Sequence, residues 1–557
     1  MRDRKVDQGL TVNAVAGTHV VSLGMDLSEA RRRDCLGFAI RREDHTEDER
    51  QWLRGLKTFR ETDPGLGPGE TVSSRDHPFQ AFQWADYSAK PGHDYTYTVI
   101  PLAGTPVEPK RSRSASVRVQ TEAEQAAPHS VFFNRGAIAS QEYARRFLNI
   151  APDRLEGDAQ TAAYRWLSRG LLEALLGFIA RATGPEFVLH GAIYEFKRTE
   201  VLSALKAAAG RGVDVNILYD GKGHAREPNE AAIEDHDIED LCRPRTRGGL
   251  SHNKFLVLSR GDAPVAVWTG STNISENGLF GQLNVGHQVE DEAVATAFLD
   301  YWEELAEDPE SADLRVWAGE NSPPVASPPP GGTRTLMSPR RGLAVLDYYA
   351  KLAGSADRAL FMTFAFGMDE RFRRVYELDD RILRVALMEK EGNGPALQEG
   401  REFIDGLRDR PNVVVAVGQH NRRKALANAL DRWQKERADG IGVNVDWVHT
   451  KFMLVDPLSD DPLVVTGSAN FSENSTNVND ENMLVIRGDQ RVADIYFGEF
   501  LRCFAHHAFR EALTFRNGPS GNLMTDAADW QDRHFDAGND HFLRREYFAQ
   551  TGDGRHP

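Results

Sequence analysis

A set of four polar residues occurs twice in the chain with the same spacing. Each copy contributes a histidine, a lysine, a serine and an asparagine: His252, Lys254, Ser271 and Asn273 in the first, and His449, Lys451, Ser468 and Asn470 in the second. Aligned without a gap, residues 252–277 and 449–474 are identical at eleven of 26 positions. The identical residues include types that do chemistry, so we expect the two copies to form two halves of one active site.

These residue types suit the cleavage of a phosphodiester. One neutral imidazole can attack phosphorus, while a second, protonated imidazole donates a proton to the leaving oxygen. In a strand, residues two apart project from the same face, so each histidine is expected to lie beside its lysine. The lysines, with serine and asparagine donors, can stabilise charge on the non-bridging oxygens. Because the protein supplies this positive charge itself, we predict neither a cofactor nor a metal ion.

At these residues the chain resembles the phospholipase D superfamily, whose signature is His-x-Lys, then Asp, then Gly-Ser-x-Asn. The second copy matches in full, with Asp456 as its aspartate, whereas the first has Ser259 in that place. The resemblance covers about residues 130–510 and implies a duplicated α/β fold with one central site. It further implies a covalent phosphohistidine, with His252 as nucleophile and His449 as general acid, an order that spacing alone leaves open.

A nucleophilic histidine needs an acceptor that holds its other ring nitrogen. Glu481 follows Asn470 by eleven residues, where the superfamily often has an orienting acidic or amide group. In the first copy Asn284 has the same offset, and Gln288 follows shortly after. We therefore expect four residues to support the catalytic set: Ser271, Ser468, Asp456 and Glu481.

Strand and helix patterns alternate through both halves. The first half has a predicted strand at Phe187–Ile193, a helix at Glu200–Ala209 and a strand at Val213–Tyr219. This order is typical of a parallel pair with a helical crossover. The second half repeats it with three segments: Ala359–Ala365, Glu370–Tyr376 and Arg381–Met388. The halves are predicted to be two mixed sheets flanked by helices, with the active site at their interface.

The first 122 residues instead show short alternating segments separated by turns, a pattern that favours an all-β sandwich resembling a fibronectin type III module. Six strands are predicted there: Thr11–Ala16, His19–Leu23, Gly37–Arg41, Phe79–Trp84, Tyr95–Leu102 and Ser116–Gln120. The predicted organisation of the rest is half 1 (130–320), a Pro-rich linker (321–335), half 2 (336–512) and a C-terminal tail without an assigned role (513–557).

The composition of the chain bears on whether it binds nucleic acid and on its cellular compartment. The chain is 40% hydrophobic, as in soluble globular proteins, and its formal net charge of −16 argues mildly against a wide nucleic-acid footprint. The three cysteines have no metal-type spacing, and neither a signal sequence nor a run of about eighteen apolar residues is evident, so we expect a cytoplasmic protein without a transmembrane segment.

The sequence thus predicts a metal-independent phosphodiesterase that hydrolyses a phosphodiester, with a phospholipid headgroup ester slightly favoured. A nuclease of the same superfamily, acting on DNA or RNA, is the first alternative. A degenerate binding scaffold, with Ser259 as its only support, is the second. In each case the N-terminal sandwich is a candidate surface for a protein partner.

Overall fold

A computed structural model describes residues 1–66, 70–136, 140–148, 150–324, 330–392, 397–418, 447–515 and 523–552. The predicted linker therefore lies partly outside the described residues, between a helix that ends at Asn321 and a strand that begins at Thr333. The predicted multidomain architecture is confirmed: an N-terminal β-sandwich precedes two α/β halves.

The N-terminal sandwich contains two antiparallel sheets. Its strands are β1 (Arg2–Asp7), β2 (Leu10–Ala16), β3 (Val21–Leu27), β4 (Gly37–Asp44), β5 (Glu49–Trp52), β6 (Arg54–Gly55), β7 (Val72–Ser73), β8 (Gln83–Asp86), β9 (Asp94–Gly104), β10 (Pro109–Arg111) and β11 (Ala115–Gln120). Nine of these strands form the two sheets of the sandwich: one has the order β1-β2-β3-β8, and the other has the order β10-β9-β4-β5, with β11 also paired to β9. Strands β6 and β7 pair with each other in a separate two-stranded sheet. All six predicted strands overlap observed ones, although Phe79–Trp84 shares only two residues with β8.

Alternation explains why these segments form a sandwich. In β11 the buried residues Ala115, Val117 and Val119 alternate with exposed residues, so one face of the strand joins the core. Buried side chains from both sheets form a single hydrophobic cluster. Arg2 in β1 pairs with Asp494 at 2.8 Å, which fastens the sandwich to the second α/β half.

Each α/β half contains one seven-stranded mixed sheet. Half 1 contributes β12 (His129–Phe133), β13 (Phe187–Ile193), β14 (Asp214–Asp220), β15 (Cys242–Arg245), β16 (Lys254–Arg260), β17 (Ala263–Gly270) and β18 (Val285–Val289). Half 2 contributes β19 (Thr333–Ser338), β20 (Ala359–Phe364), β21 (Leu383–Met388), β22 (Val413–Val417), β23 (Phe452–Val455), β24 (Leu463–Gly467) and β25 (Glu481–Arg487).

The two sheets have the same topology. The strand orders are β12-β18-β17-β16-β13-β14-β15 and β19-β25-β24-β23-β20-β21-β22. In each sheet the last three strands are parallel to one another and the remaining neighbours are antiparallel. The sequence repeat is therefore a repeat of a whole folding unit.

Helices of eight or more residues flank the sheets. They are Ser140–Phe147, Gly157–Ser168, Leu171–Ala180, Thr199–Gly210, Gly223–Asp235, Glu292–Ala306, Ser311–Asn321, Ala344–Gly354, Leu397–Arg408, Gln490–Phe515 and Asp540–Phe548. The shorter ones are Glu29–Arg32, Glu370–Tyr376, Glu473–Asn477 and Asp532–Phe535. Phe298 and Phe497, on two of the long helices, share one buried cluster with Phe255 and Phe361 of the two sheets. The halves thus have a common core.

The C-terminal residues complete the N-terminal sandwich. The indole of Trp530 stacks on Phe82 at 5.3 Å between ring centroids and donates a hydrogen bond to the carbonyl of Cys35 at 2.8 Å. Arg545 forms an ion pair with Asp26 at 2.7 Å. The C-terminal tail, to which no role was assigned from its sequence, therefore packs against residues 1–122.

None of the helices in the described part of the chain has both the length and the apolar composition needed to cross a bilayer.

Candidate active site

The two histidine motifs meet where the halves contact each other. Lys254 is the first residue of β16 and His252 lies two residues before it, while His449 and Lys451 lie just before β23. The two imidazole rings are 6.5 Å apart between centroids and are inclined by 72°. Each histidine is only 7% exposed, so a reacting group between the rings would be largely shielded from bulk water.

Backbone hydrogen bonds join the two halves on either side of the site. The amide of His252 donates to the carbonyl of Asp480 at 3.0 Å, and the amide of Asp480 donates to the carbonyl of Leu250 at 2.9 Å. On the other side the amide of His449 donates to Leu283 at 3.2 Å. Each histidine is therefore anchored to the segment that begins the last strand in sequence of the opposite half.

The side chain that holds each imidazole also comes from the opposite half. Oε2 of Glu481 lies 2.9 Å from Nδ1 of His252, and Oδ1 of Asn284 lies 2.9 Å from Nδ1 of His449. Gln288, the other candidate in the first half, donates instead to Glu290 at 2.6 Å. Both motif histidines thus have an oriented Nδ1, and Nε2 is the ring nitrogen that a substrate could contact.

The amide group of Asn284 fixes the tautomer of His449. Its Nδ2 donates to the carbonyl of Gly278 at 2.8 Å, so Oδ1 is the atom that faces the imidazole. An amide oxygen only accepts hydrogen bonds, which requires the hydrogen of His449 to be on Nδ1. Glu481 is different in kind, because a carboxylate can also neutralise a positive ring on His252.

The two motif serines support these orienting residues. The hydroxyl of Ser271 donates to Oδ1 of Asn284 at 2.9 Å and accepts from the amide of Val285 at 3.1 Å. In the other half the hydroxyl of Ser468 accepts from the amide of Asn482 at 3.0 Å. Each serine therefore holds the start of the strand that carries the orienting group of its own half.

The pKa values of the histidines and lysines in the site are lowered in a way that a bound anion would reverse. Burial lowers the pKa of His252 and His449 well below the usual range, and the charges of Lys254 and Lys451 act in the same direction. Burial also lowers the pKa of Lys254 to about 8 and that of Lys451 well below its ordinary value. A phosphodiester anion between these groups would favour their charged forms.

Several polar atoms of the site have no hydrogen-bond partner among the described residues. They are Nζ of Lys451 and the side-chain oxygens of Asn273 and Asn470. Unpaired buried polar groups are costly and are common where a ligand completes the site. The Nδ2 of Asn273 donates to the buried carboxylate of Glu195 at 3.1 Å.

Two site residues were missed by the sequence analysis. The ring of Tyr194 lies 5.1 Å from Nζ of Lys254 and 5.1 Å from the ring of His252. Glu195 is the partner of Asn273. Both residues follow directly after β13, and the carboxyl ends of parallel strands are a usual place for ligand-binding groups. That position was the signal that could have identified them.

The motif aspartate lies away from the imidazoles. Asp456 follows β23 at the end opposite to Lys451, about 16 Å away at 3.3 Å per residue. Its carboxylate accepts three backbone N–H groups, at 2.7 Å from Asp357, 2.7 Å from Arg358 and 2.8 Å from Ala359. Its contacts therefore join two strands of half 2.

The corresponding position in half 1 has no such contacts. Ser259 is buried within β16, and its hydroxyl has no hydrogen-bond partner among the described residues. The strand continues past it and turns at once into β17, with Ser259 opposite Pro264. The serine at this position therefore alters a strand connection, while His252, Lys254 and Asn273 remain in the site.

One group of side chains in the described part of the chain has the arrangement of a metal site. Asp44, Glu47 and His93 bring their ligand atoms within 4.8 Å of one another in the N-terminal sandwich. His93 is already held by Asp44 at 2.9 Å. The group belongs to a different part of the molecule from the histidine motifs.

Comparison with known families agrees with this geometry. Residues 178–306 and 349–504 match the family described as cardiolipin synthase, PLD-like domain. These two stretches make up just over half of the chain. The protein belongs to this family. The two stretches that match the cardiolipin synthase, PLD-like domain contain both histidine motifs, Asn284 and Glu481.

Solved structures resemble the chain at low identity. Phosphatidylserine synthase from Haemophilus influenzae is 11% identical, with a TM-score of 0.41, over 61% of this chain and 85% of that one. Polyphosphate kinase from Porphyromonas gingivalis is 12% identical, with a TM-score of 0.37, over 56% of this chain and 42% of that one. This chain therefore covers less than half of the kinase.

The Salmonella typhimurium protein Nuc, a phospholipase D family member, is 25% identical with a TM-score of 0.21, over 25% of this chain and 87% of that one. No curated protein matches the chain in sequence.

Proposed function

We propose that the protein is a metal-independent phosphodiesterase that hydrolyses a phospholipid headgroup ester through a phosphohistidine on His252. The observation that carries the proposal is the paired arrangement of His252 with Glu481 and of His449 with Asn284, both at 2.9 Å. With Nδ1 of each ring engaged and the rings 6.5 Å apart between centroids, the two Nε2 atoms would be the nitrogens that act on a bound phosphodiester. The other site residues of this proposal are Lys254, Lys451, Asn273 and Asn470.

In this proposal the nucleophile and the general acid are distinguished by their orienting groups, a carboxylate for His252 and an amide for His449. Attack by Nε2 of His252 on phosphorus forms an N–P bond and leaves positive charge on the ring, which the Glu481 carboxylate can neutralise. The P–O bond to the leaving alcohol breaks as His449 donates its Nε2 proton to that oxygen. His449 faces a neutral amide and is therefore the stronger acid of the two. Water then attacks phosphorus, His449 takes its proton, and the N–P bond breaks.

The lysines and asparagines would stabilise the transition state. Nζ of Lys451 is buried without a hydrogen-bond partner among the described residues, and Lys254 lies beside the ring of Tyr194, which also contacts His252. Cations and amide donors that are already fixed in place need little reorganisation as charge builds on the non-bridging oxygens. Ser271, Ser468 and Glu481 would act by holding the two imidazoles, and Asp456 by holding the strands of half 2.

Two observations support a phospholipid as the substrate. The family is named for a phospholipid synthase. The net charge of −16 is unfavourable for a protein that grips a long nucleic acid, whose affinity comes largely from phosphate neutralisation. We place the enzyme in the cytoplasm, with the N-terminal sandwich as its surface for a protein partner.

A substrate panel tests the proposal. Purified wild type, His252→Ala and His449→Ala would be assayed in EDTA on phosphatidylcholine vesicles, single-stranded DNA, duplex DNA and RNA. We expect release of phosphatidic acid by the wild type alone, and a phosphorylated protein that is absent from His252→Ala. Cleavage of DNA or RNA with intact vesicles would make the protein a nuclease. Equal rates for wild type and both variants would refute the catalytic role of the site.

A further inference from the structure

We propose that Asp480 is a positioning residue for the nucleophile, acting through Arg245 and Ser251 to fix Glu481 against His252. The inference rests on the proposed function and concerns how the same site is held in register. Asp480 directly precedes Glu481 in the chain, and Ser251 directly precedes His252. A contact between Asp480 and Ser251 therefore joins the two backbones that carry the hydrogen-bonded pair.

The contacts of Asp480 are buried and come from the opposite half. Its Oδ2 accepts a hydrogen bond from Nε of Arg245 at 3.1 Å and from the hydroxyl of Ser251 at 3.2 Å. The Asp480 side chain is fully buried, and Arg245 is 2% exposed. Arg245 also bonds to Asp308 and to the carbonyl of Pro309, each at 2.6 Å, so its guanidinium is held from both sides.

Ser251 is fixed by a second carboxylate. Its amide donates to Oδ1 of Asp220 at 3.2 Å, and Nζ of Lys222 lies 3.4 Å from its hydroxyl and 3.7 Å from Asp220. The residue before the nucleophile is thus held at its backbone by Asp220 and at its side chain by Asp480. Small rotations of this segment would change the distance between His252 and Glu481 directly.

Asn482, on the other side of Glu481, also makes polar contacts across the interface. Its Nδ2 donates to Oδ1 of Asn253 at 2.8 Å, and its Oδ1 accepts from the hydroxyl of Thr269 at 2.6 Å. Three consecutive side chains, 480 to 482, therefore bond to half 1. They hold the orienting carboxylate from both directions.

The equivalent segment beside the general acid is different. The positions that correspond to Asp480 and Asn482 are Leu283 and Val285, both buried in the hydrophobic core. The Asn284 amide is held by Ser271 and by the carbonyl of Gly278, both from its own half. Among the described residues, the side chains on either side of the orienting group bond to the opposite half only beside His252. A nucleophile must approach phosphorus along a defined line, and small misplacements of such groups reduce rates strongly. This explains why the stricter network would serve His252.

The test compares Asp480→Asn with wild type in the full chain, using bis(p-nitrophenyl) phosphate. Its leaving group departs without a proton, so formation of the phosphorylated enzyme reports on attack by His252 and not on proton donation by His449. We expect Asp480→Asn to slow formation of the phosphorylated enzyme in rapid-quench measurements by about 10- to 100-fold. Arg245→Lys, which keeps one charged donor, should be less affected than Arg245→Met.

Asp494→Asn is the matched control. Asp494 is likewise a buried carboxylate bonded to an arginine, Arg2, and the burial of each raises its pKa to about 6. It lies outside the site, so its variant should form the phosphorylated enzyme at the wild-type rate. A general loss of packing would slow both variants alike.

The outcomes separate the inference from the proposed function. If wild type and His252→Ala react equally with the probe, the proposed function fails and the inference with it. If wild type exceeds His252→Ala but Asp480→Asn matches wild type, only the positioning role is overturned. Should Asp480→Asn fail to fold, Ser251→Ala removes one of its two bonds. A several-fold slower phosphorylation in that variant supports the role, and an unchanged rate overturns it.

Discussion

Oε2 of Glu481 lies 2.9 Å from Nδ1 of His252 although 229 residues separate them in the chain. This hydrogen bond joins the two α/β halves, and the bond between Asn284 and His449 repeats it in the other direction. Neither half contains a histidine together with its own orienting group. The two bonds differ in one respect, because one acceptor is a carboxylate and the other is an amide.

Replacing Glu481 with Gln tests the role of that carboxylate. The variant keeps the size of the side chain and a hydrogen-bond acceptor but loses the charge that would stabilise a phosphorylated ring on His252. We expect kcat to fall by about 10²-fold or more, as for other single catalytic contacts. Single-turnover measurement of the phosphorylated enzyme is the readout. Retention of the wild-type rate would contradict the assignment of His252 as nucleophile.

Replacing Asn284 with Asp addresses the general acid. A carboxylate beside Nδ1 would raise the pKa of His449, because opposite charges favour the protonated ring. A larger fraction of the enzyme would then carry the proton that the leaving group needs at a given pH above that pKa. The basic limb of the pH–kcat profile should move upward, by the order of one pH unit. An unchanged or downward shift would argue against His449 as the acid.

The periodic parts of this fold were predictable and the contacts between the halves were not. The strand Phe187–Ile193 and the helix Glu370–Tyr376 were predicted with the bounds that are observed, because long apolar runs and helix caps are local signals. Strands β1 and β5 were missed since their sequences, RDRKVD and ERQW, are mostly polar and lie at sheet edges.

The contacts within the site were likewise only partly predictable from the sequence. The equal offsets identified Asn284 and Glu481 as orienting candidates, but the sequence could not tell which histidine each one faces, because that depends on how the halves pack. Trp530 gave no interpretable pattern for a similar reason. Its partners, Phe82 and Cys35, lie more than 400 residues earlier in the chain.

Restoring the motif aspartate in half 1 should destabilise the protein. Ser259 is 2% exposed, and its hydroxyl has no hydrogen-bond partner among the described residues, whereas Asp456 accepts three backbone N–H groups. A carboxylate placed there would be an uncompensated buried charge, which costs about 3–5 kcal/mol of unfolding free energy. Urea denaturation of Ser259→Asp measures the loss. Ser259→Ala is the matched control and should be neutral or slightly stabilising, because the hydroxyl it removes is unpaired.

Trp530 should contribute strongly to the stability of the N-terminal sandwich. Its indole is 7% exposed, stacks on Phe82 and contacts Phe38 at 6.3 Å between centroids. Truncation to Ala would leave a cavity in that core and cost about 3–5 kcal/mol. Chemical denaturation followed by circular dichroism gives the value. Val107→Ala, at a position that is 66% exposed, should change stability by less than about 0.5 kcal/mol, and equal losses would contradict the packing role.

His534 should make the protein less stable as the pH falls. Burial lowers its pKa from 6.5 to about 3, and nearby positive groups, the first of them His541, act in the same direction. Below pH 6.5 the unfolded chain binds a proton at this residue and the native protein does not, so stability is lost as pH falls from about 6.5 toward about 3. At pH 5 the loss is about 2 kcal/mol.

His534→Phe keeps an aromatic ring beside Phe82 and Trp530 but cannot bind the proton. We therefore expect the decrease in unfolding free energy between pH 7.5 and pH 5 to be smaller in this variant by about that amount. The other buried histidines contribute equally to both proteins and cancel in the comparison, so an identical pH dependence would show that His534 is accessible to protons in the folded state.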